Sequence, residues 1–95
     1  MNPRMNEIPP EPSLIEYPSR FPIKVMGLNA DGFVHAITQV AAQFDKDFDA
    51  ATVEIRPSKG NKYLGVTITI TATSRAQLDE LYRTLSTHPM VKMVL

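Results

Sequence analysis

An α+β sandwich with the element order β-α-β-β-α-β is the fold class this sequence predicts, on three observations. Between Tyr63 and Thr71 the aliphatic residues Leu64, Val66, Ile68 and Ile70 alternate with Tyr63, Gly65, Thr67, Thr69 and Thr71, the period-two pattern of a strand buried on one face only. Two other stretches carry helical periodicity: Phe33, Ile37, Val40, Ala41 and Phe44 form one stripe, and Leu78, Leu81, Tyr82 and Leu85 form another. Short alternating or apolar segments, bounded by Gly27, Pro57, the SKGN turn and His88-Pro89, supply the remaining strands.

The chain opens with Pro3, Pro9, Pro10, Pro12 and Pro18 among polar residues. Such a composition offers no packing face, so residues 1–19 are expected to form a flexible tail and residues 20–95 a single domain. The first strand is FPIKVMG, with Phe21, Ile23 and Val25 on one side and Lys24 and Met26 on the other. LNADGFVHAITQVAAQF follows as an amphipathic helix, with Asn29 or Asp31 available to cap its free N–H groups. The acidic DKDFDA turns the chain into ATVEIRP, where Val53 and Ile55 alternate with Thr52, Glu54 and Arg56 until Pro57 ends the strand. SKGN makes the hairpin turn into the Tyr63 strand, Ser74 and Gln77 match a capping box for the second helix, and MVKMVL closes as a fourth strand.

With right-handed crossovers this order predicts a ferredoxin-like βαββαβ sandwich, a four-stranded antiparallel sheet in the order 4-1-3-2 with both helices on one face. The aliphatic faces of the strands go beneath the helices. The other face is left uncovered, and Lys24, Met26, Thr52, Glu54, Arg56, Tyr63, Thr67, Thr69, Thr71, Lys92 and Val94 are expected on it.

Composition narrows the chemistry. A length of 95 residues makes one domain with one modest core. Ten basic residues balance ten acidic ones, so no long-range field selects nucleic acid or an anionic membrane, and a partner must be recognised locally. The absence of cysteine removes disulfides, thiolate metal sites and cysteine nucleophiles and fits a reducing compartment. No signal-like or membrane-spanning apolar run occurs, and a cytoplasmic location is expected.

Two blocks, YPSRFPIKVMG and SKGNKYLGVTITITATSRAQLDELYRTL together with the terminal VKMVL, resemble the YbeD-like family of small bacterial proteins of unassigned biochemical function. The similarity covers nearly everything after residue 16, less closely in the first helix. It implies a ferredoxin-like fold close to the ACT regulatory domains, which sense small molecules for amino-acid biosynthetic enzymes. It brings no catalytic residue and no cofactor.

The loop from Gly27 to Phe33 joins the first strand to the first helix, and its backbone N–H groups are the best candidate ligand site, with Gly27, Asn29, Asp31 and Gly32 as its residues. ACT domains carry an acidic residue three positions before a glycine here; this chain has Asn29 before Gly32. Helix capping and turn geometry explain the same residues without a ligand. Acylphosphatases share the topology and need an arginine in this loop, which has none. His35 and His88 stand far apart, so neither a metal centre nor a nucleophile with its base is expected, and the chain is read as a non-enzyme.

On the uncovered face the candidate partner-binding residues are Lys24, Arg56, Lys59, Lys62, Tyr63, Thr67 and Lys92. RNA recognition modules use this face to stack bases on two or three aromatic rings, each worth about 1–3 kcal/mol per base. Tyr63 is the single outward ring here, which argues against nucleic acid. The expected partner is a protein or a small metabolite, with no membrane, no metal and no cofactor. Asp45, Asp47, Asp49, Asp79 and Glu80 are expected as a solvated acidic counterpart on the other layer, and the exposed fourth strand allows a monomer or a weak homodimer.

Overall fold

The computed structural model describes residues 16–95. Of the expected tail, residues 1–15 lie outside the described residues. Tyr17 packs on the core and Ser19 opens the first strand, so packing starts before residue 20.

Strand β1 (Ser19–Leu28) pairs antiparallel with β3 (Tyr63–Ala72) over its whole length, from Ser19 opposite Ala72 to Leu28 opposite Tyr63. Strand β2 (Glu54–Pro57) flanks β3, and β4 (Val91–Val94) flanks β1, giving the order β2-β3-β1-β4. Helices α1 (Phe33–Phe44) and α2 (Arg75–Ser86) cover one face. Ile23, Val25, Val66, Ile68 and Ile70 from the sheet meet Phe33, Ile37, Leu81 and Leu85 from the helices in one fully buried cluster. This is the ferredoxin-like sandwich that the two periodicities predict.

Three placements differ from the sequence expectation. Val94 lies opposite Val25 on the helix side, because the register shifts between Met26 and Gly27 and leaves Lys92 as an extra residue. The bulge turns Lys92 and Met93 to the uncovered face in its place. Thr52 is not on the sheet at all; it closes a 3-10 turn, Ala50–Thr52, and its hydroxyl donates to the Asp49 carbonyl at 2.6 Å. Ile55 faces the helix side opposite Val66 yet is 51% exposed, because it lies on the rim strand past the reach of the helices.

Neither Asn29 nor Asp31 caps α1. Gly32 holds the cap position with φ 85°, a left-handed conformation that glycine adopts without penalty, and no side chain bonds to the helix end. At α2 the capping box forms with one variation: Ser74 Oγ accepts from Gln77 N at 3.0 Å, and Gln77 Oε1 accepts from Thr73 N at 2.7 Å. Ser74→Ala should therefore lower stability by about 1 kcal/mol, read as a lower denaturant midpoint with an unchanged slope.

Where β2 stops, side chains take over its work. The N–H and C=O of Thr71 point past the end of β2; Asp45 Oδ2 accepts from Thr71 N at 2.8 Å, and Gln77 Nε2 donates to Thr71 O at 3.2 Å and to Phe44 O at 3.0 Å. Asp45 also accepts from Asp47 N at 3.0 Å and is 6% exposed, so it is a buried structural acid and not part of a solvated patch. On the opposite rim β4 reaches β1 only from Gly27 to Lys24, which exchanges two backbone bonds with Leu95. The next outward position on β1 is Pro22, which has no N–H to offer.

Candidate functional site

The register fixes what the uncovered face presents. One transverse row runs Arg56 on β2, Gly65 on β3, Met26 on β1 and Met93 on β4, with the bulged Lys92 beside it. The next row carries Glu54, Thr67, Lys24 and Leu95, and the row on the other side pairs Tyr63 with Leu28. Met26, Tyr63, Lys92 and Met93 line an open groove of about 320 Å³. Of the four large hydrophobic residues most exposed to solvent, three belong to this face: Leu28 at 44%, Met93 at 52% and Leu95 at 62%. Burying such side chains is the main source of association energy, so their clustering makes this face the candidate contact surface.

Cations ring the apolar centre. Lys24, Arg56 and Lys92 are exposed on the face, Lys59 and Lys62 sit at the β2–β3 turn, and Arg20, opposite Thr71, extends the set along β1. None of them forms an ion pair among the described residues. The acids are disposed differently: Asp79 pairs with Arg75 at 3.3 Å, Glu80 with Arg83 at 2.7 Å, Asp49 caps the 3-10 turn and Asp45 is buried. Two of the five expected acids thus carry an ion-pair partner on their own helix, whereas the cations of the basic rim carry none among the described residues.

Lys62 Nζ lies 5.6 Å from the centroid of the Tyr63 ring, a cation–π contact that occupies the one outward aromatic of the sheet. Thr67 stands in the second row between Glu54 and Lys24. Sequence reasoning brings Lys24, Arg56, Tyr63, Thr67 and Lys92 together correctly on this face and places Lys59 and Lys62 beside it. It misses Leu28, Met93, Leu95 and Arg20. Leu28 and Arg20 lie in phase with Lys24 and were legible by counting along β1, whereas Met93 depends on the bulge.

The loop before α1 is a tied turn. Asn29 N donates to Lys62 O at 2.9 Å and Asn29 Nδ2 to Asn61 O at 3.1 Å, which staples the loop to the hairpin. Ala30 N donates to Leu28 O, and Phe33 N to Ala30 O across a turn with Gly32 at its third position. Gly27 lies inside β1 and is buried, so it faces the core and not a ligand. Asp31 is exposed. Three of the loop's amides are spent internally, which leaves a weaker anion site than the sequence suggests.

A second cavity of about 330 Å³ surrounds the Thr71 clasp, and of the groups lining it the Asp45 carboxyl, the Gln77 amide and the Thr71 backbone are already hydrogen-bonded to one another. His88 Nδ1 accepts from Met90 N at 3.1 Å, and His35 is exposed on α1. In the helical layer, burial pushes the Tyr82 phenol above the usual tyrosine value. No helix among the described residues is long and apolar enough to cross a membrane.

Element order, register and uncovered face define a small ferredoxin-like α+β protein with an apolar, cation-rimmed sheet surface. A family model described as a protein of unknown function, DUF493, matches residues 12–95. A UPF0250 protein of Leptothrix cholodnii is 64% identical over 91 residues, covering 96% of this chain and 100% of that one. A UPF0250 protein of Bordetella pertussis is 63% identical over 91 residues, with the same coverage. The chain belongs to the DUF493 family, whose UPF0250 members are the YbeD-like proteins of the resemblance. These relatives carry no enzymatic name. The solution structure of protein HP0495 from H. pylori superposes with a TM-score of 0.71 at 16% identity, covering 95% of this chain and 97% of that one, a likeness of fold alone.

Proposed function

We propose that this protein is a non-enzymatic binding module that holds a protein partner on its uncovered sheet face. The observation that supports it is the cluster of Met26, Leu28, Tyr63, Met93 and Leu95 on that face, ringed by Lys24, Arg56, Lys62 and Lys92. An apolar centre with a polar, charged rim is the anatomy of protein interfaces, in which the buried centre supplies affinity and the rim supplies choice of partner. A small metabolite at the loop of Asn29, Asp31 and Gly32 has less support, since that loop's amides bond largely within the protein. Single-stranded nucleic acid has less again, with Tyr63 as the sole outward ring and Lys62 already over it.

Complexes isolated from bacterial lysate by size exclusion test this reading. Met93→Asp places a charge in the apolar centre without touching the core, and it should weaken partner retention at least about tenfold, an expectation for truncating or charging a central contact. Asp47→Asn on the far layer should leave retention intact. Equal retention by Met93→Asp, or release of the partner by nuclease, would overturn the reading.

A further inference from the structure

Strand β2 ends the sheet with an edge that complements itself. Its residues, Glu54–Pro57, are all exposed. Thr71 of β3 turns its N–H and C=O toward the β2 side, where Asp45 and Gln77 take them, so Thr67 and Gly65, in the same phase, turn theirs to Glu54 and Arg56. The N–H and C=O of Ile55 therefore point outward, and neither has a partner among the described residues. The outward positions on either side have no hydrogen to give: Val53 N donates to Ala50 O at 3.2 Å, and Pro57 has no N–H. Ile55 is the free donor of this rim.

The side chains follow the same symmetry. Ile55 is half-exposed on the helix side, between Val53 and Pro57. Glu54 and Arg56 point to the uncovered face, and neither forms an ion pair among the described residues. Laid antiparallel against a second copy with Ile55 opposite Ile55, each Glu54 faces an Arg56 and each Val53 a Pro57. Moving the axis one residue either way sets Glu54 against Glu54 or Arg56 against Arg56, and like charges directly opposite are destabilising. Charges on an edge ordinarily discourage pairing; here opposite signs on the two sides of Ile55 select a single register.

We propose that β2 is a homodimer edge. Two copies pair about a twofold axis at Ile55, exchange a backbone hydrogen bond in each direction, pack Ile55 on Ile55 beneath the sheet and form two Glu54–Arg56 ion pairs above it, joining two four-stranded sheets into one. The contact is short, so dimer and monomer exchange with concentration. It uses the rim and not the groove, and stands independently of partner binding on the open face.

Sedimentation equilibrium of the full chain over a concentration series tests it, with hydrogen exchange at the Ile55 amide as the local readout. The average mass should rise toward twice that of the monomer, and the Ile55 amide should gain protection in step. Glu54→Arg and Arg56→Glu, each alone, should weaken association at least about tenfold, since each replaces two attractive cross-strand pairs by two repulsive ones. The double exchange should restore it, and so should mixing the two single variants, whose edges complement each other. Ile55→Lys should abolish it. These variants change exposed positions and should unfold close to the wild-type midpoint. A monomer at every concentration, association untouched by Ile55→Lys, or a double exchange that fails to restore what the single reversals lose would each overturn the proposal. So would association lost in Met93→Asp but kept in Ile55→Lys, which assigns the contact to the open face, or Ile55 protection in a monomer that ends when residues 1–15 are removed, which assigns the edge to that segment.

Discussion

Gly27→Ala is expected to lower the unfolding free energy by about 3 kcal/mol, the upper end of the cost of overpacking a core. The added methyl would run into the Met90 carbonyl oxygen and lie 2.7 Å from Phe33 Cε1 and 2.8 Å from Phe33 Cζ. The first obstacle is backbone, and Phe33 is fully buried, so neither can yield cheaply. Chemical denaturation measures the change. A loss below about 0.5 kcal/mol would mean that the Met90 segment or the Phe33 ring relaxes freely, contrary to a rigid junction between β1, α1 and β4.

Asp45→Ala should cost about 3 kcal/mol, because it removes a buried side-chain acceptor and leaves the Thr71 N–H at the sheet edge without a partner. Asp45→Asn keeps one acceptor oxygen and should recover part of the loss. Asp47→Ala, which deletes an exposed acid two residues away, should fall within about 0.5 kcal/mol of wild type. Hydrogen exchange at Thr71 gives the local readout: protection there should collapse in Asp45→Ala well before protection at Ile23 or Ile68 does. Unchanged exchange at Thr71 would show that the clasp contributes little.

The architecture was legible because two periodicities agree with the turn chemistry at every junction: Leu64 to Ile70 alternates, Leu78 to Leu85 repeats at helical spacing, and Gly60, with φ 85°, sits in the hairpin as its sequence context requires. The errors have particular causes. In VKMVL nearly every residue is apolar, so alternation cannot report the bulge at Lys92 that reverses the facing of Met93 and Val94. Asp45, Asp47 and Asp49 look alike in sequence, yet only Asp45 lies within reach of the unfilled edge beside Thr71, a fact of tertiary placement. Asn29 has a capping residue's chemistry, but the hairpin at Asn61 competes for it and wins. Ile55 shows the limit of the alternation rule, which assigns a face but not whether anything covers it. For the candidate surface, charges were legible residue by residue. The apolar centre was legible only in part: Met26, Tyr63 and Leu28 follow from alternation along β1 and β3, whereas Met93 joins them only through the bulge in β4.

Pro22 carries a consequence for life in a crowded cell. Beyond Leu95 the rim of β1 shows carbonyl oxygens but, at this position, no hydrogen to give. A stray strand trying to zip onto the rim of β1 would lose a rung at Pro22, which makes this stretch a poorer template for pairing. Among the described residues, exposed apolar side chains on the open face thus sit beside a stretch of β1 rim that offers a second copy little to pair with.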